Sequence, residues 1–182
     1  MEPTFRLAGS DHTFTPFGGP LDDTQRSETL EDIGRAIMGW ARFEYLVTTI
    51  AIHVNKQEAN TALHDPNPSA KMRSLIKLVH KWITQHPPYA ALAPAFDDRL
   101  VEALIDDIED RNVLAHSLLE AIDVSTETIT LRRLKRDGKD LWSAHTVTAD
   151  LNAPRFMAHQ ANLASRHLAA ICHSLFGQAQ MP

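Results

Sequence analysis

An apolar stripe at helical spacing runs through Val101, Leu104, Ile105, Ile108, Ala115, Leu118, Leu119 and Ile122, and Arg111 and Asn112 interrupt it where it should continue. The spacing predicts a helix from about Asp98 to Ile122 with one face turned to a core. Burying an arginine without a partner costs several kcal/mol. The two polar heads must therefore be paired inside the protein or line a cleft that water and a ligand can enter. His116 follows Asn112 by four positions, and side chains so spaced project within about 40° of one another. Arg111 starts about 100° to one side of Asn112, but its long stem lets the guanidinium reach the same place.

Three other segments carry the helical period. The first is expected to begin at Ser27 or Thr29, whose hydroxyl can cap free amides, and to reach about Lys56 with Ile33, Trp40, Phe43, Val47, Ile50 and Val54 inward. Pro66 and Pro68 break the chain before a second helix that starts at Ser69 and turns Met72, Leu75, Ile76, Val79, Trp82 and Ile83 inward. Pro87, Pro88 and Pro94 read as a connector, and Asp97 or Asp98 then caps the helix that carries the interruption. Beyond Ile122 the pattern alternates and is rich in β-branched residues from Glu127 to Leu134. With Leu141 to Val147 across an Asp137-Gly138 turn it predicts a β-hairpin. A last helix is expected from a Thr148 cap to Phe176, with Pro154 tolerated in its first turn and Gly177 ending it. The fold class expected is all-α: an antiparallel bundle of four long helices with a small β-hairpin before the last. Residues 1–26 read as an extended or partly disordered arm, and 27–182 as one helical domain.

A chain of 182 residues fills one core, and its balance of 43% hydrophobic and 23% charged residues is that of a globular protein. Met1 to Asp11 has no basic start followed by an apolar run, and no apolar run approaches the roughly 18 residues a membrane span needs, so a cytoplasmic protein without membrane association is expected. Cys172 is the single cysteine, so an internal disulfide and a cysteine metal cluster are excluded, and its apolar setting reads as a core thiol. The net charge of −5 argues against nonspecific coating of nucleic acid, which needs many cations to replace counterions. Two local basic surfaces remain. Arg73, Lys77 and Lys81 recur every four residues on the second helix, and Arg132, Arg133, Lys135 and Arg136, with Lys139, crowd the hairpin. Either could contact RNA, and either alone is also what a solvated face looks like.

The chemistry open to the interruption follows from its residue types. An imidazole titrates near neutrality, so His116 can take a proton from a ribose 2′-hydroxyl or return one to a leaving oxygen. The planar, permanently charged fork of Arg111 suits a phosphorane-like transition state. Such a pair can cleave RNA by internal attack without a metal or cofactor. The alternative is an arginine that ties helices together through a carboxylate, with His116 near the surface. Glu44 is the carboxylate to watch, because it lies on the face defined by Trp40, Val47 and Ala51, and it is expected to pair with Arg111 or to orient His116.

Arg111-Asn112-Val-Leu-Ala-His116 resembles the signature of the HEPN superfamily, the nucleotide-binding fold of higher eukaryotes and prokaryotes: an arginine, a polar residue and, after four to six intervening positions, a histidine late in a long helix. The long first helix with Trp40-Ala-Arg-Phe-Glu44 and a closing last helix are similar too, so the resemblance covers about Ser27 to Phe176. It implies a metal-independent endoribonuclease, often a toxin or phage-defence effector, with a site assembled from two subunits of a homodimer. It makes His116 the general base or acid, Arg111 the phosphate-binding group and Asn112 a positioning residue. Partners implied are a second copy, RNA or a nucleotide, and an antitoxin or regulatory protein. A non-catalytic HEPN-like dimer using the same pocket for a nucleotide or for partner contacts is the second class.

Other constellations are weaker. His-Glu-x-x-His does not occur, and His159, His167 and His173 do not share a ligand-like helical face, so a metal site is not expected. Ser117 adjoins His116, yet neighbouring helical residues point apart, which disfavours a serine nucleophile. Trp40, Trp82 and Trp142 read as core or interface anchors, with Trp142 the one most open to exposure.

Overall fold

A computed structural model describes residues 6–7, 23–136 and 141–177. The fold is mainly α-helical. Helix α1 spans Asp23–Val54, α2 Lys56–Leu63, α3 Pro68–Gln85, α4 Pro87–Leu92, α5 Asp98–Ala115 and α6 Ala153–Phe176. Between α5 and α6 the strands β2 (Leu118–Asp123), β3 (Thr128–Arg136) and β4 (Leu141–Asp150) form an antiparallel sheet. The short strand β1 (Arg6–Leu7) adds to β4 in parallel, giving the order β1-β4-β3-β2.

Helix boundaries follow local chemistry. The Asn67 side chain accepts from the Ser69 and Ala70 amides at 2.9 and 3.2 Å, with Pro68 occupying the first turn where its missing N–H is harmless. The start expected at Ser69 is thus moved back, and its hydroxyl is left for other work. Asp97 caps α5 through the Leu100 amide at 2.9 Å. Of the prolines expected to form a connector, Pro87 and Pro88 start α4 from first-turn positions, and Pro94 lies in the turn after it. Asn55 follows α1, close to the end expected near Lys56, and caps α2, a helix not expected from the sequence.

Four expectations are corrected. Helix α5 ends at Ala115, and Leu118–Asp123 is strand, not helix. That segment has helix-forming residues, but pairing Leu119 with Leu131 and Ile122 with Ile129 buries its apolar side against the core, and tertiary pairing overrides propensity. The hairpin is therefore part of a three-stranded sheet. Thr148 pairs with Thr130 inside β4 and is not a helix cap; α6 begins after Asn152. Helix α1 begins at Asp23, ahead of the Ser27 or Thr29 start expected, and before it Arg6 and Leu7 pair in extended conformation with Leu141 and Trp142. The Asp137-Gly138 turn, Lys139 and the rest of the arm lie outside the described residues, as do the side chains of Lys135, Arg136 and Trp142.

The direction of the helices differs most. Arg155 Nη2 donates to Asp32 Oδ2 at 2.8 Å, Gly39 backs onto Asn162, and the rings of His53 and Phe176 meet edge to face at 4.9 Å. Each pair is separated by 123 positions, so α1 and α6 run in the same direction along their shared length. An even number of strands would have returned the chain for an antiparallel last helix; the extra strand β2 reverses it. Helices α3 and α5 are antiparallel, with Ser69 beside Asn112 at one end and His80 beside Asp98 at the other.

One contiguous core joins these elements. Trp40, Phe43 and Ile50 of α1, Leu75 and Ile76 of α3, Leu104 of α5, Ile129 and Leu131 of β3, and Leu168 and Ile171 of α6 are fully buried. Trp82 is partly buried and stacks on His86 at 4.7 Å. Cys172 is buried, and burial pushes its thiol up to about 11. No described helix is long and apolar enough to cross a membrane.

Candidate functional site

Three helices meet through one chain of polar contacts. Arg111 on α5 forms an ion pair with Glu44 on α1, each side chain about one quarter exposed. Its Nη1 donates to Asn112 Oδ1 at 2.7 Å, and Asn112 Nδ2 donates to the Ser69 hydroxyl at 3.1 Å. The interrupted stripe is thereby explained: both heads are paired, and the pairing ties α5 to α1 and to the first turn of α3. Of the two partners expected for Glu44, the structure gives it Arg111. Burial pushes the Glu44 carboxyl above the ordinary carboxylate range, and the charge and hydrogen bond of Arg111 pull only partly the other way.

The pairing does not exhaust the guanidinium. Of its five N–H donors, one faces Glu44 and one Asn112, and the other three are unengaged among the described residues. His116 is outside this network. It is the C-cap of α5, exposed, with its backbone N–H on Val113 O at 3.3 Å, and its ring makes no hydrogen bond among the described residues. Ser117 Oγ is buried without a hydrogen-bond partner among the described residues.

Two contributors were not singled out by sequence. Ser69 is buried and completes the network, and the Asn67-Pro68 pair was the signal that its hydroxyl was not needed as a cap. Asp107 lies one helical turn before Arg111, and Leu100, Leu104, Asp107, Arg111 and Leu114 follow one another at spacings of four and three. Burial, reinforced by Asp110 and Asp106, pushes its carboxyl up to about 6. Its Oδ2 has no partner among the described residues.

The two basic surfaces fare differently. Arg73 is half-buried, and Lys77 and Lys81 are exposed along α3, continuing at four-residue steps from Ser69. None of the three has an acidic partner among the described residues. On the sheet, Arg132 is taken by Glu120 at the β2 bulge, and Arg133 is half-buried with Nε unpartnered among the described residues. The stripe on α3 is thus the basic surface connected to the site.

A separate cleft of about 220 Å³ lies between the start of α1 and the start of α6, lined in part by Thr29, Asp32, Leu151 and Arg155. Asp32 precedes Glu44 by twelve residues, about 18 Å along the helix, so this concavity is distinct from the Arg111 network. Among the described residues no group of three or more His, Cys, Asp or Glu is placed to hold a metal ion. The chain matches no protein-family model, no curated protein and no solved structure. A functional reading therefore rests on the residues themselves.

Proposed function

We propose that the chain is a HEPN-like protein that cleaves RNA without a metal, with α1, α3, α5 and α6 as the four long helices of its bundle and Arg111, Asn112 and His116 at the reacting centre of a homodimer. The observation that carries this reading is Arg111 itself: fixed by Glu44 and Asn112, still partly exposed, and with three donors unengaged among the described residues, on the helix that the exposed His116 caps. Arg111 holds the scissile phosphate and the charge that builds on it. His116 removes the 2′-hydroxyl proton, and the second copy supplies the acid for the leaving 5′-oxygen. Asn112 and Glu44 position the guanidinium, and Arg73, Lys77 and Lys81 lead the polyanion to it.

One observation favours a second reading. Glu44 already compensates the Arg111 charge, and the chain is net acidic, which suits a non-catalytic module that binds a nucleotide or a regulatory protein. Incubation of purified protein with mixed RNA in chelator decides between them. Cleavage that persists in EDTA and disappears in His116→Ala and Arg111→Ala supports the enzyme, as does toxicity on expression that His116→Ala relieves. RNA left intact by a folded protein rejects it in favour of binding.

A further inference from the structure

The outward side of α1 carries a second stripe that the core does not use. Leu30, Met38, Tyr45 and Ile52 are 47%, 71%, 56% and 39% exposed, and successive members are eight, seven and seven residues apart. Gly34, Ala41 and Thr48 fall between them, so the steps along the stripe are four, four, three, four, three and four. That is the period of a seam between paired helices, not of a solvated face, where charges would be expected. The stripe itself holds no charge. Glu31, Arg35 and Arg42 border one side, and Glu44 with its Arg111 partner borders the other.

We infer that this stripe docks α1 of a second copy of the chain, antiparallel, with the two-fold axis at Ala41. The occupant follows from the order of sizes. About Ala41 the stripe is its own complement: Leu30 meets Ile52, Gly34 meets Thr48, and Met38 meets Tyr45. Large side chains are thus matched at both ends, and the small Ala41 on the axis lets the helices approach closely. A parallel pair would set glycine on glycine and tyrosine on tyrosine, leaving a gap and a clash. The seam is about 33 Å long, and a helix pair of that length removes on the order of 1,000 Å² from water, the lower edge of what a stable pair needs. Micromolar self-association is the expected strength.

A two-fold axis across antiparallel helices keeps each flank on its own side. Both Glu44–Arg111 pairs therefore border the same side of the seam. Glu44 is three residues from Ala41, so the two carboxylates stand about 9 Å apart along the axis direction, close enough for the two sites to share one groove. The inference deepens the nuclease reading by naming the face that makes the site composite, and it is tested separately from cleavage.

Cysteine cross-linking reads the geometry, with wild type as the control because Cys172 is buried. Ala41→Cys is expected to form a disulfide-linked dimer under mild oxidation, since its two copies face each other. Gly34→Cys and Thr48→Cys are each expected to stay unlinked alone and to link when mixed. Met38→Asp with Tyr45→Asp, both at exposed positions, should keep the wild-type circular dichroism and weaken self-association at least tenfold by sedimentation. A wild-type chain that sediments as a monomer at 100 μM overturns the proposal, as does an unchanged dimer in the aspartate variant. Gly34→Cys linking to itself overturns the antiparallel arrangement. A dimer that passes these tests but leaves RNA intact rejects the nuclease and keeps the seam.

Discussion

Glu44 and Arg111 form an ion pair between α1 and α5 in which the carboxyl is held above its ordinary range even with the guanidinium beside it. Desolvation outweighs attraction there, so relative to water the fold disfavours the ion and loses little when Glu44 is replaced by a neutral isostere. Glu44→Gln is therefore expected to unfold in urea at pH 7 within about 0.5 kcal/mol of wild type. Arg111→Ala leaves a half-buried carboxylate unpaired and should cost about 2 kcal/mol. An equal loss in both variants would mean that the pair acts as a simple attractive tie. If Glu44→Gln folds normally and yet changes cleavage, the carboxylate has a part in the site beyond holding helices together.

Asp107 gives a pH signature. Its carboxyl titrates at about 6 in the fold against 3.8 as the ordinary value. A raised pKa means the folded state binds the proton more tightly, so the group's stabilising contribution is full below about pH 4 and is lost as pH rises through about 6. Asp107→Asn should then be more stable than wild type at pH 7.5, by about 1 kcal/mol once solvent screening of a half-buried group is allowed for, with the gain vanishing near pH 4. Urea midpoints across that range measure it, and a pH-independent difference would contradict the assignment.

The α3 stripe should show itself in salt dependence. Replacing Lys77 and Lys81 with Gln removes two cations from an exposed face and should leave the melting temperature unchanged. RNA affinity is expected to fall several-fold at low salt, with the slope of log affinity on log salt reduced by up to about 1.4, the single-strand value for two phosphate contacts. Filter binding at several salt concentrations checks this. Arg132→Gln, whose charge is already engaged by Glu120, should change the slope less.

Cys172 should be silent in the native state. A thiol pushed up to about 11 in a buried position is neither ionised nor accessible at pH 8. An aromatic disulfide reagent is expected to label it only as fast as the protein unfolds, and rapid labelling without denaturant would show that α6 opens locally.

The apolar periods of the long helices were legible in the sequence because each has enough turns to display a face. Glu44 was legible for the same reason, as a carboxylate on a side otherwise made of Trp40, Val47 and Ala51. What escaped was decided at longer range. Leu118-Leu-Glu-Ala-Ile-Asp suits a helix or a strand equally, and only the partners Leu131 and Ile129 choose between them. The direction of α6 depends on that choice, since it turns on the number of strands before it. Asp107 escaped because a carboxylate among Asp106, Glu109 and Asp110 looks like part of a solvated face, and its burial comes from how the helix is rotated against the others. The outward stripe on α1 was present in the spacing of Leu30, Met38, Tyr45 and Ile52, but a helix rich in apolar residues hides a second face until the first has been covered.

The 123-residue separation that recurs between α1 and α6 also governs the order in which the molecule can be made. On a ribosome α1 emerges with a long apolar groove on its inner side, and the helix that fills it is synthesised 123 residues later. At roughly 5–20 residues per second the wait is on the order of ten seconds. During that interval the nascent chain presents Trp40, Phe43 and Ile50 without their final cover, so it is a natural client for chaperones that bind exposed apolar segments. Completion of α6 is the event that releases it.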